Sequence, residues 1–276
     1  MTPAPSVRVA VVGAGGRMGQ AACLAVDGAA DLQLVAAVDP AHAGEPVLAA
    51  GGRDGTGELT VAADLDAVAA AGASVVIDFT VLAAARQTVR WCAEHAVHVV
   101  VGTTGWTPAD LDELARLYPP DGPAGCLLAP NFAIGAVLMM RFAELAAPWY
   151  DTAEIVELHH DAKRDAPSGT SLRTAERMAD ARTAAGAGEW GPDPTTTETV
   201  PGARGATGPA GLHLHAVRLR GLVAHQEVLL GSAGEGLTIR HDSWDRASFM
   251  PGVLLAVRSV ADRPGLTVGI DALLGI

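Results

Sequence analysis

Short apolar runs alternate with longer helical patterns over the first half of the chain. The apolar runs cover residues 7–13, 32–39, 73–80, 97–105 and 125–131. The segments between them, about 17–28, 64–72, 82–95 and from Pro108 onward, favour helices. Strands that are apolar throughout and separated by helices are typical of a parallel sheet covered on both faces. The pattern therefore predicts a doubly wound α/β domain.

The second half of the chain has a different pattern. A helix is predicted from about Ile134, a strand over "AEIVELHH", and a further helix over 169–185. A turn-rich loop, 189–211, then precedes three strand-like runs, 212–220, 221–231 and 236–243, with no helix between them. Consecutive strands of this kind predict a C-terminal α+β domain with a mixed or antiparallel sheet.

The end of the chain predicts a return to the first domain. A helix over about 246–261 is followed by a short strand, "GLTVGI". We therefore predict one domain from residues 1–132 with 243–276 returning to it, and a second domain from residues 133–242.

Charge and cysteine usage limit the partners that we expect. The net charge of −12 argues against nucleic acid as a partner, but a small anionic ligand sees only its local field. Cys23, Cys92 and Cys126 lack any paired spacing, which indicates free thiols in a reducing cytoplasm. The first residues do not resemble a signal peptide, and no apolar run reaches the ~20 residues of a membrane span. We expect a cytoplasmic protein without a membrane partner.

A glycine motif follows the first predicted strand. Gly13, Gly15 and Gly19 form a GxGxxxG pattern between that strand and the next helix. Glycines at such a turn permit a close approach of phosphates, and the helix N-terminus offers N–H groups to them. The second strand ends in Asp39, about 20 residues beyond the last glycine, as the dinucleotide fingerprint requires. The N-terminal domain is therefore predicted to be Rossmann-type.

The choice between NADH and NADPH stays open. The Asp39 carboxylate can accept hydrogen bonds from a ribose and would repel a 2′-phosphate. Arg17 could pair with that phosphate, or it could be a solvated arginine at the helix start. Small residues that follow later strands, Gly102, Thr103 and Thr104 in "VGTTG", would admit a nicotinamide ring, although a plain turn with a helix cap explains them equally.

The stretch "HHDAKRDAPSGT" gathers titratable groups behind a predicted strand. His159 and His160 should point to opposite faces of that strand, so we expect different roles for them. Lys163 follows across a turn. Ser168, Gly169 and Thr170 then start a helix, where hydroxyl and N–H groups suit a carboxylate or a phosphate.

Two other interpretations compete for this stretch. His159 and His160, with His213 and His215, offer enough imidazoles for zinc. No cysteine cluster or HExxH motif accompanies them, so we predict no metal. A charged loop that caps a helix is the other alternative.

The chain resembles the 4-hydroxy-tetrahydrodipicolinate reductase family, also called dihydrodipicolinate reductase. The resemblance extends almost from end to end. It rests on "GAGGRMG", "DFT", "GTTG", "APNFAIGAVLMM", "ELHHDAKRDAPSGT", "PGARG", "LVAHQEV" and "TIRHDS". It implies NAD(P)H-dependent reduction of 4-hydroxy-tetrahydrodipicolinate to tetrahydrodipicolinate, with loss of water, on the diaminopimelate route to lysine. It also implies a homotetramer that assembles through the second domain.

The resemblance also implies roles for individual residues. In the second domain, His159 and Lys163 are the implied proton donors, and a cyclic dicarboxylate would contact His160, Lys163, Gly169 and Thr170. From its hydroxyl and N–H groups, we also expect Ser168 to contact the substrate, since the Ser168-Gly169-Thr170 turn would hold one carboxylate. NADH or NADPH would be held in the first domain by Gly13, Ala14, Gly15, Gly16, Arg17, Met18, Asp39, Gly102, Thr103, Thr104, Ala129, Pro130, Asn131 and Phe132.

Three questions about this chemistry stay open at the level of sequence. Either His159 or Lys163 could deliver the proton that neutralises the ring nitrogen after hydride transfer. The dehydration could be catalysed or spontaneous. Arg240 could reach the substrate or lie on a strand surface.

Two other functions fit the sequence less well. A different two-domain dehydrogenase would typically carry a Glu-Lys-Pro motif where this chain has "VGTTGW". A catalytically silent nucleotide-binding protein would not require the His159–Thr170 cluster.

Overall fold

The computed structural model of the protein describes residues 6–47 and 59–276. The chain divides into two compact units, one formed by Met1–Phe132 with Phe249–Ile276 and the other by Ala133–Ser248. In the part of the chain that is described, no helix has both the length and the apolar character needed to cross a membrane.

The strands and helices follow one another as the alternating pattern predicts. The strands are β1 Val7–Val12, β2 Leu32–Val38, β3 Val75–Asp78, β4 His98–Val101, β5 Gly125–Leu128, β6 Thr152–His159, β7 Ala206–Thr207, β8 His213–Arg218, β9 Ala224–Ser232, β10 Glu235–Ser243 and β11 Gly265–Val268. The α-helices are α1 Arg17–Gly28, α2 Asp66–Ala70, α3 Leu82–Glu94, α4 Pro108–Leu117, α5 Ile134–Ala146, α6 Gly169–Ala184, α7 Met250–Ser259 and α8 Asp271–Leu274.

The first unit is built on a parallel sheet. Its strand order is β11-β5-β4-β3-β1-β2, and every neighbouring pair is parallel. All four residues of β3 are buried, as are all four of β5, because helices cover both faces of the sheet. The predicted Rossmann-type sheet is confirmed.

The predicted strands of the first unit extend too far at their carboxyl ends. The second prediction included Asp39, whereas β2 ends at Val38, and the fourth ran to Gly105, whereas β4 ends at Val101. Asp39 and residues 102–105 directly follow apolar runs but lie outside the strands, and Gly105 has a φ of +94° that no strand adopts. The turn residues lie at the edge of the sheet where a ligand binds in this architecture.

The second unit carries the predicted mixed sheet. Its strand order is β10-β9-β6-β8-β7, with β6 and β8 parallel and the other neighbours antiparallel. Along β6 the side chains alternate, so that Ala153, Ile155 and Glu157 are buried. Ile155 belongs to a core cluster with Ala143 of α5 and residues of α6. Glu157 is therefore a carboxylate on the buried side of the strand.

One arginine anchors the start of the turn-rich segment. Arg182 of α6 donates hydrogen bonds to the carbonyls of Ala147, Tyr150 and Glu189, among others, and its guanidinium lies 4.0 Å from the ring centroid of Trp190. The guanidinium is thus satisfied by backbone oxygens and an aromatic face.

Candidate functional site

The carboxyl edge of the parallel sheet collects the predicted cofactor-binding residues of the first unit. The carboxyl ends of parallel strands lie at the same edge of the sheet, and these residues follow the strands there. Gly13, Ala14, Gly15, Gly16, Arg17 and Met18 follow β1, Asp39 follows β2, Gly102, Thr103 and Thr104 follow β4, and Ala129, Pro130, Asn131 and Phe132 follow β5.

The glycine loop is held close to the sheet. Gly13 has a φ of +81°, and its N–H donates to the carbonyl of Val38 at 2.8 Å. A Cβ on Gly19 would lie 2.0 Å from the carbonyl oxygen of Gly13. The loop and the first turn of α1 therefore tolerate no side chain at these two positions.

Asp39 and His42 line the other side of this loop. The Asp39 carboxylate accepts from the N–H of Gly15 at 3.0 Å and from the N–H of Ala41 at 3.1 Å. A Cβ on Gly15 would meet the His42 ring at 2.0 Å. Each carboxylate oxygen keeps acceptor capacity, because it has more than one lone-pair position. Asp39 can therefore still accept a hydrogen bond from a ribose hydroxyl.

Helix α1 begins in a way that suits a phosphate. Its N-cap is Gly16, no side chain caps it, and its first turn contains no acidic residue. Arg17 is exposed and Met18 is half-buried. Backbone N–H groups at such a helix start favour an anion, so the loop fits a pyrophosphate.

A cleft of about 600 Å³ lies beside the glycine loop, on the side of Asp39. Gly13, Gly16, Phe79 and Trp91 are among the residues that line it. Three carboxylates also line it, from Asp39, Asp64 and Asp66. Carboxylates at a nucleotide site favour ribose hydroxyls over an added phosphate. The cleft thus has the size and charge for an unphosphorylated adenosine.

The turn after β4 is packed rather than open. A Cβ on Gly102 would meet the Phe79 ring at 2.1 Å, and the buried Thr103 hydroxyl lies 3.1 Å from Asp78 Oδ1. Phe132 packs edge-on against Phe79, with ring centroids 6.0 Å apart. Thr104 is exposed. Packed residues therefore line the carboxyl edge of the sheet after β4 and β5, namely Gly102, Thr103 and Phe132.

In the second unit, His159 is the last residue of β6. Its Nδ1 lies 2.5 Å from Glu157 Oε2, two residues earlier on the same face of the strand. Burial lowers the pKa of His159, and the neighbouring carboxylate opposes this without reversing it. Arg218 of β8 makes two bonds of 2.8 Å to the two oxygens of Glu157.

Glu157 is an ionised acceptor despite its burial. Burial raises its pKa, but the bonds from Arg218 and His159 outweigh that effect, so the pKa is lowered overall. An ionised carboxylate can only accept hydrogen bonds. The hydrogen between the two groups is therefore on His159 Nδ1, which leaves Nε2 to exchange a proton.

Lys163 and His160 lie in the loop beyond His159. The Lys163 ammonium is 2.8 Å from both carboxylate oxygens of Asp165, and this pairing lowers the pKa of Asp165. The backbone N–H of Lys163 donates to the carbonyl of His160, whose side chain is exposed. His159 is mostly buried and His160 is not, in keeping with different roles for the two.

The Ser-Gly-Thr turn starts α6. Ser168 is the N-cap, and its hydroxyl accepts from the N–H of Ser171 at 3.2 Å. Its own N–H donates to Glu157 Oε1 at 3.0 Å. The hydroxyl and the N–H of Ser168 thus both bond within the protein, and its contact with substrate stays a prediction. Gly169 is exposed and has open space on its Cβ side, and Thr170 is half-buried.

Sequence reasoning overlooked the residues that support this site. Glu157 and Arg218 fix His159, and Gln226 of β9 bonds Ser171 Oγ at 2.8 Å from beneath the turn. The one clue was positional, since alternation along β6 places Glu157 on the same face as Ile155. Nothing in the sequence pairs Arg218 with a residue 61 positions away.

His213, His215 and Arg240, which the sequence offers as further candidates, each lie beside carboxylates. His215 Nε2 lies 2.7 Å from Glu154, and His213 Nε2 lies 3.4 Å from Asp193. Arg240 contacts Glu227 at 2.6 Å and Asp242 at 2.9 Å. These contacts suit a strand-surface role for Arg240.

The first unit has a parallel sheet with a glycine loop at its carboxyl edge, and the second unit has its own cluster of polar side chains. This combination is typical of two-domain oxidoreductases that use a nicotinamide dinucleotide. The family model described as "Dihydrodipicolinate reductase, N-terminus" matches residues 7–132, and the model described as "Dihydrodipicolinate reductase, C-terminus" matches residues 135–274. The chain belongs to the dihydrodipicolinate reductase family.

Similar proteins cover almost the whole chain. The 4-hydroxy-tetrahydrodipicolinate reductase of Cutibacterium acnes is 53% identical over 98% of this chain and 99% of its own length. That of Nocardia farcinica is 50% identical over 98% of this chain and 100% of its own. A dipicolinate-bound dihydrodipicolinate reductase from Paenisporosarcina sp. TG-14 is 38% identical, with a TM-score of 0.83, and the match covers 97% of this chain and 99% of that one.

These matches confirm the predicted family, and with it the predicted activity and cofactors. The family reduces 4-hydroxy-tetrahydrodipicolinate with NADH or NADPH on the diaminopimelate route to lysine. The chain is an oxidoreductase of this kind.

Proposed function

We propose that the first unit is the dinucleotide-binding domain of this reductase and the second unit its substrate-binding domain. The glycine loop, the start of α1 and Asp39 would hold NADH or NADPH. The cofactor supplies a hydride to C4 of the substrate ring. The chain's own residues then have two tasks, to hold a dianion and to deliver a proton.

His159 Nε2 would deliver the proton. Electron density moves toward the ring nitrogen as C4 is reduced, and a positioned acid neutralises it. Nδ1 of His159 is engaged by Glu157, so the second ring nitrogen is the one that exchanges. The bond to Glu157 is the single observation that carries this assignment.

Lys163 would neutralise one carboxylate of the substrate and serve as a second proton source. Its ammonium is paired with Asp165, an exposed carboxylate in the same loop. A substrate carboxylate could therefore replace Asp165 as its partner. Exchange of one carboxylate for another keeps the ammonium paired throughout.

Gly169 and Thr170 at the start of α6 would hold the other carboxylate, and His160 would add a contact. Open space beside Gly169 lets an anion approach the backbone. Ser168 would support this turn from within, through its bonds to Ser171 and Glu157.

Copies of the chain would assemble as a homotetramer through the sheet of the second unit. Ile155 faces the core, so the neighbouring Val156 and Leu158 lie on the opposite face of β6, and Leu229 of β9 is 37% exposed. Light scattering coupled to size exclusion measures the assembly directly.

Three buried cysteines without disulfides fit a cytoplasmic location.

The activity is tested by coupling the protein to a synthase that makes the substrate from pyruvate and aspartate semialdehyde. NADH and NADPH consumption are followed in separate reactions. We expect consumption with at least one cofactor only when both synthase substrates are present. Cofactor consumption that did not depend on the synthase would contradict the proposal.

A further inference from the structure

Glu157 is a buried carboxylate that no proposed step of the reaction uses directly. Its side chain is 1% exposed, and its two oxygens accept four hydrogen bonds. Oε2 accepts from His159 Nδ1 and Arg218, and Oε1 accepts from Arg218 and the backbone N–H of Ser168. Two carboxylate oxygens offer about four lone-pair positions, so Glu157 has none left for a substrate.

The partners of Glu157 come from three parts of the chain. His159 lies on β6 itself, Ser168 starts α6, and Arg218 ends β8. Arg218 also donates to the backbone carbonyl of Asp165 at 2.7 Å, in the loop that carries Lys163. One carboxylate thus joins the proposed acid, the lysine loop and the turn that would bind a carboxylate.

We propose that Glu157 is the positioning residue of this site: it sets the tautomer of His159 so that Nε2 is the nitrogen that exchanges a proton, and it holds the acid in register with the turn at Ser168. Arg218 keeps Glu157 in place and ionised. The inference rests on the proposed function, since it takes His159 as the acid.

The same strand supplies a matched control. Glu154 also pairs with a histidine and an arginine, with 2.7 Å to His215 Nε2 and 2.8 Å to Arg204. Glu154 is 34% exposed, and its partners do not include any residue of the His159 cluster, by which we mean Glu157, His159, Lys163, Asp165 and Arg218. E154Q therefore shows what the loss of a carboxylate paired with a histidine and an arginine does to the pH profile when His159 is not among its partners.

The test compares E157Q with E154Q. The charged groups that face His159 are Glu157, Lys163 and Arg218, and only Glu157 favours the protonated imidazole. Removing its charge therefore shifts the loss of kcat/KM, which occurs as pH rises through the pKa of His159, to lower pH. We expect kcat of E157Q to fall about 10²-fold at pH 7.5, with partial recovery at lower pH. E154Q should keep the wild-type profile.

A second measurement does not depend on turnover. In protein labelled with ¹⁵N-histidine, long-range ¹H–¹⁵N spectra should show neutral His159 with its proton on Nδ1. The double variant E157L/R218M replaces the buried pair by apolar side chains, leaves no buried cation unpaired, and removes the acceptor. In that variant we expect the proton to move to Nε2.

The outcomes separate this inference from the proposed function. If E157Q kept the wild-type pH profile, or if the tautomer did not change in E157L/R218M, Glu157 would be structural only. If instead H159Q retained turnover with the wild-type profile, the assignment of His159 as the acid would fail, whatever the tautomer spectra showed. E157D, which keeps the charge, should retain the pH profile better than E157Q does.

Discussion

The glycine loop of the first unit and the His159 cluster of the second unit both suit anions, but they are built differently. The glycine loop presents backbone at the start of α1, with no side-chain cap and glycines where a Cβ would collide. The His159 cluster presents charged side chains, and each is held by a partner of opposite charge. The first site offers backbone N–H groups that do not titrate, while the second has groups that change protonation and can take part in a reaction.

We expect the largest effect when the charged side chains of the second site are removed. His159→Ala with Lys163→Ala should lower kcat by about 10³-fold, since both proposed proton sources are gone. NADH affinity, measured by fluorescence titration, should stay within about twofold, which corresponds to less than 0.5 kcal/mol. The reason is that both substituted residues lie in the second unit, outside the proposed dinucleotide site. Normal turnover by the double variant would refute the assignment of the site.

One added methyl group should distort the glycine loop of the first unit and weaken dinucleotide binding there. Gly19→Ala places a Cβ 2.0 Å from the carbonyl oxygen of Gly13, and the forced shift should cost about 1–3 kcal/mol in NADH binding or stability. Gly28→Ala, in the same helix with no atom within 4 Å of its Cβ, is the control. Equal NADH affinities by calorimetry and equal thermal stabilities in the two variants would contradict the packing argument.

The pH dependence should belong to the second site alone. His159 acts when protonated, so activity is present at low pH and lost as pH rises through its pKa. Burial lowers that pKa, and the decline of kcat/KM should therefore begin below the ordinary value of about 6.5 and approach tenfold per pH unit. A bound dianion raises the pKa, so kcat should decline at higher pH than kcat/KM does. NADH affinity should not follow either curve.

The smallest expected effect concerns cofactor choice. Asp39→Ala should weaken NADH binding by about two- to tenfold, the value of a hydrogen bond, and NADPH binding by less, because loss of the negative charge favours a 2′-phosphate. Titrations with 5′-AMP and with 2′,5′-ADP check this without turnover. Equal losses for the two nucleotides would remove the ribose role from Asp39.

The sequence predicts the fold of the first unit and names candidate reactive residues in the second, but it does not predict the contacts that hold those residues. The spacing of apolar residues and the flanking glycines predict α1 at the same bounds as in the structure, and the predicted parallel sheet is confirmed. The ends of β2 and β4 were predicted too long, because the predicted strands included the polar and glycine residues that follow the apolar runs. The pairing of Glu157 with Arg218 depends on the register of β6 against β8, which places His159 beside Arg218. Such a register follows from tertiary packing and leaves no local pattern.

The chain leaves the first unit after Phe132 and returns to it at Phe249, and this has a consequence for synthesis on the ribosome. Strand β5 pairs with β11, whose residues are made more than a hundred positions later. Until Gly265–Val268 emerge, the edge of β5 stays open, with unpaired N–H and carbonyl groups that invite strand addition from another chain. The second unit, which is one continuous segment, can complete its own sheet first. The sheet of the first unit is therefore completed only after the whole second unit has been made, because its edge strand β11 comes last.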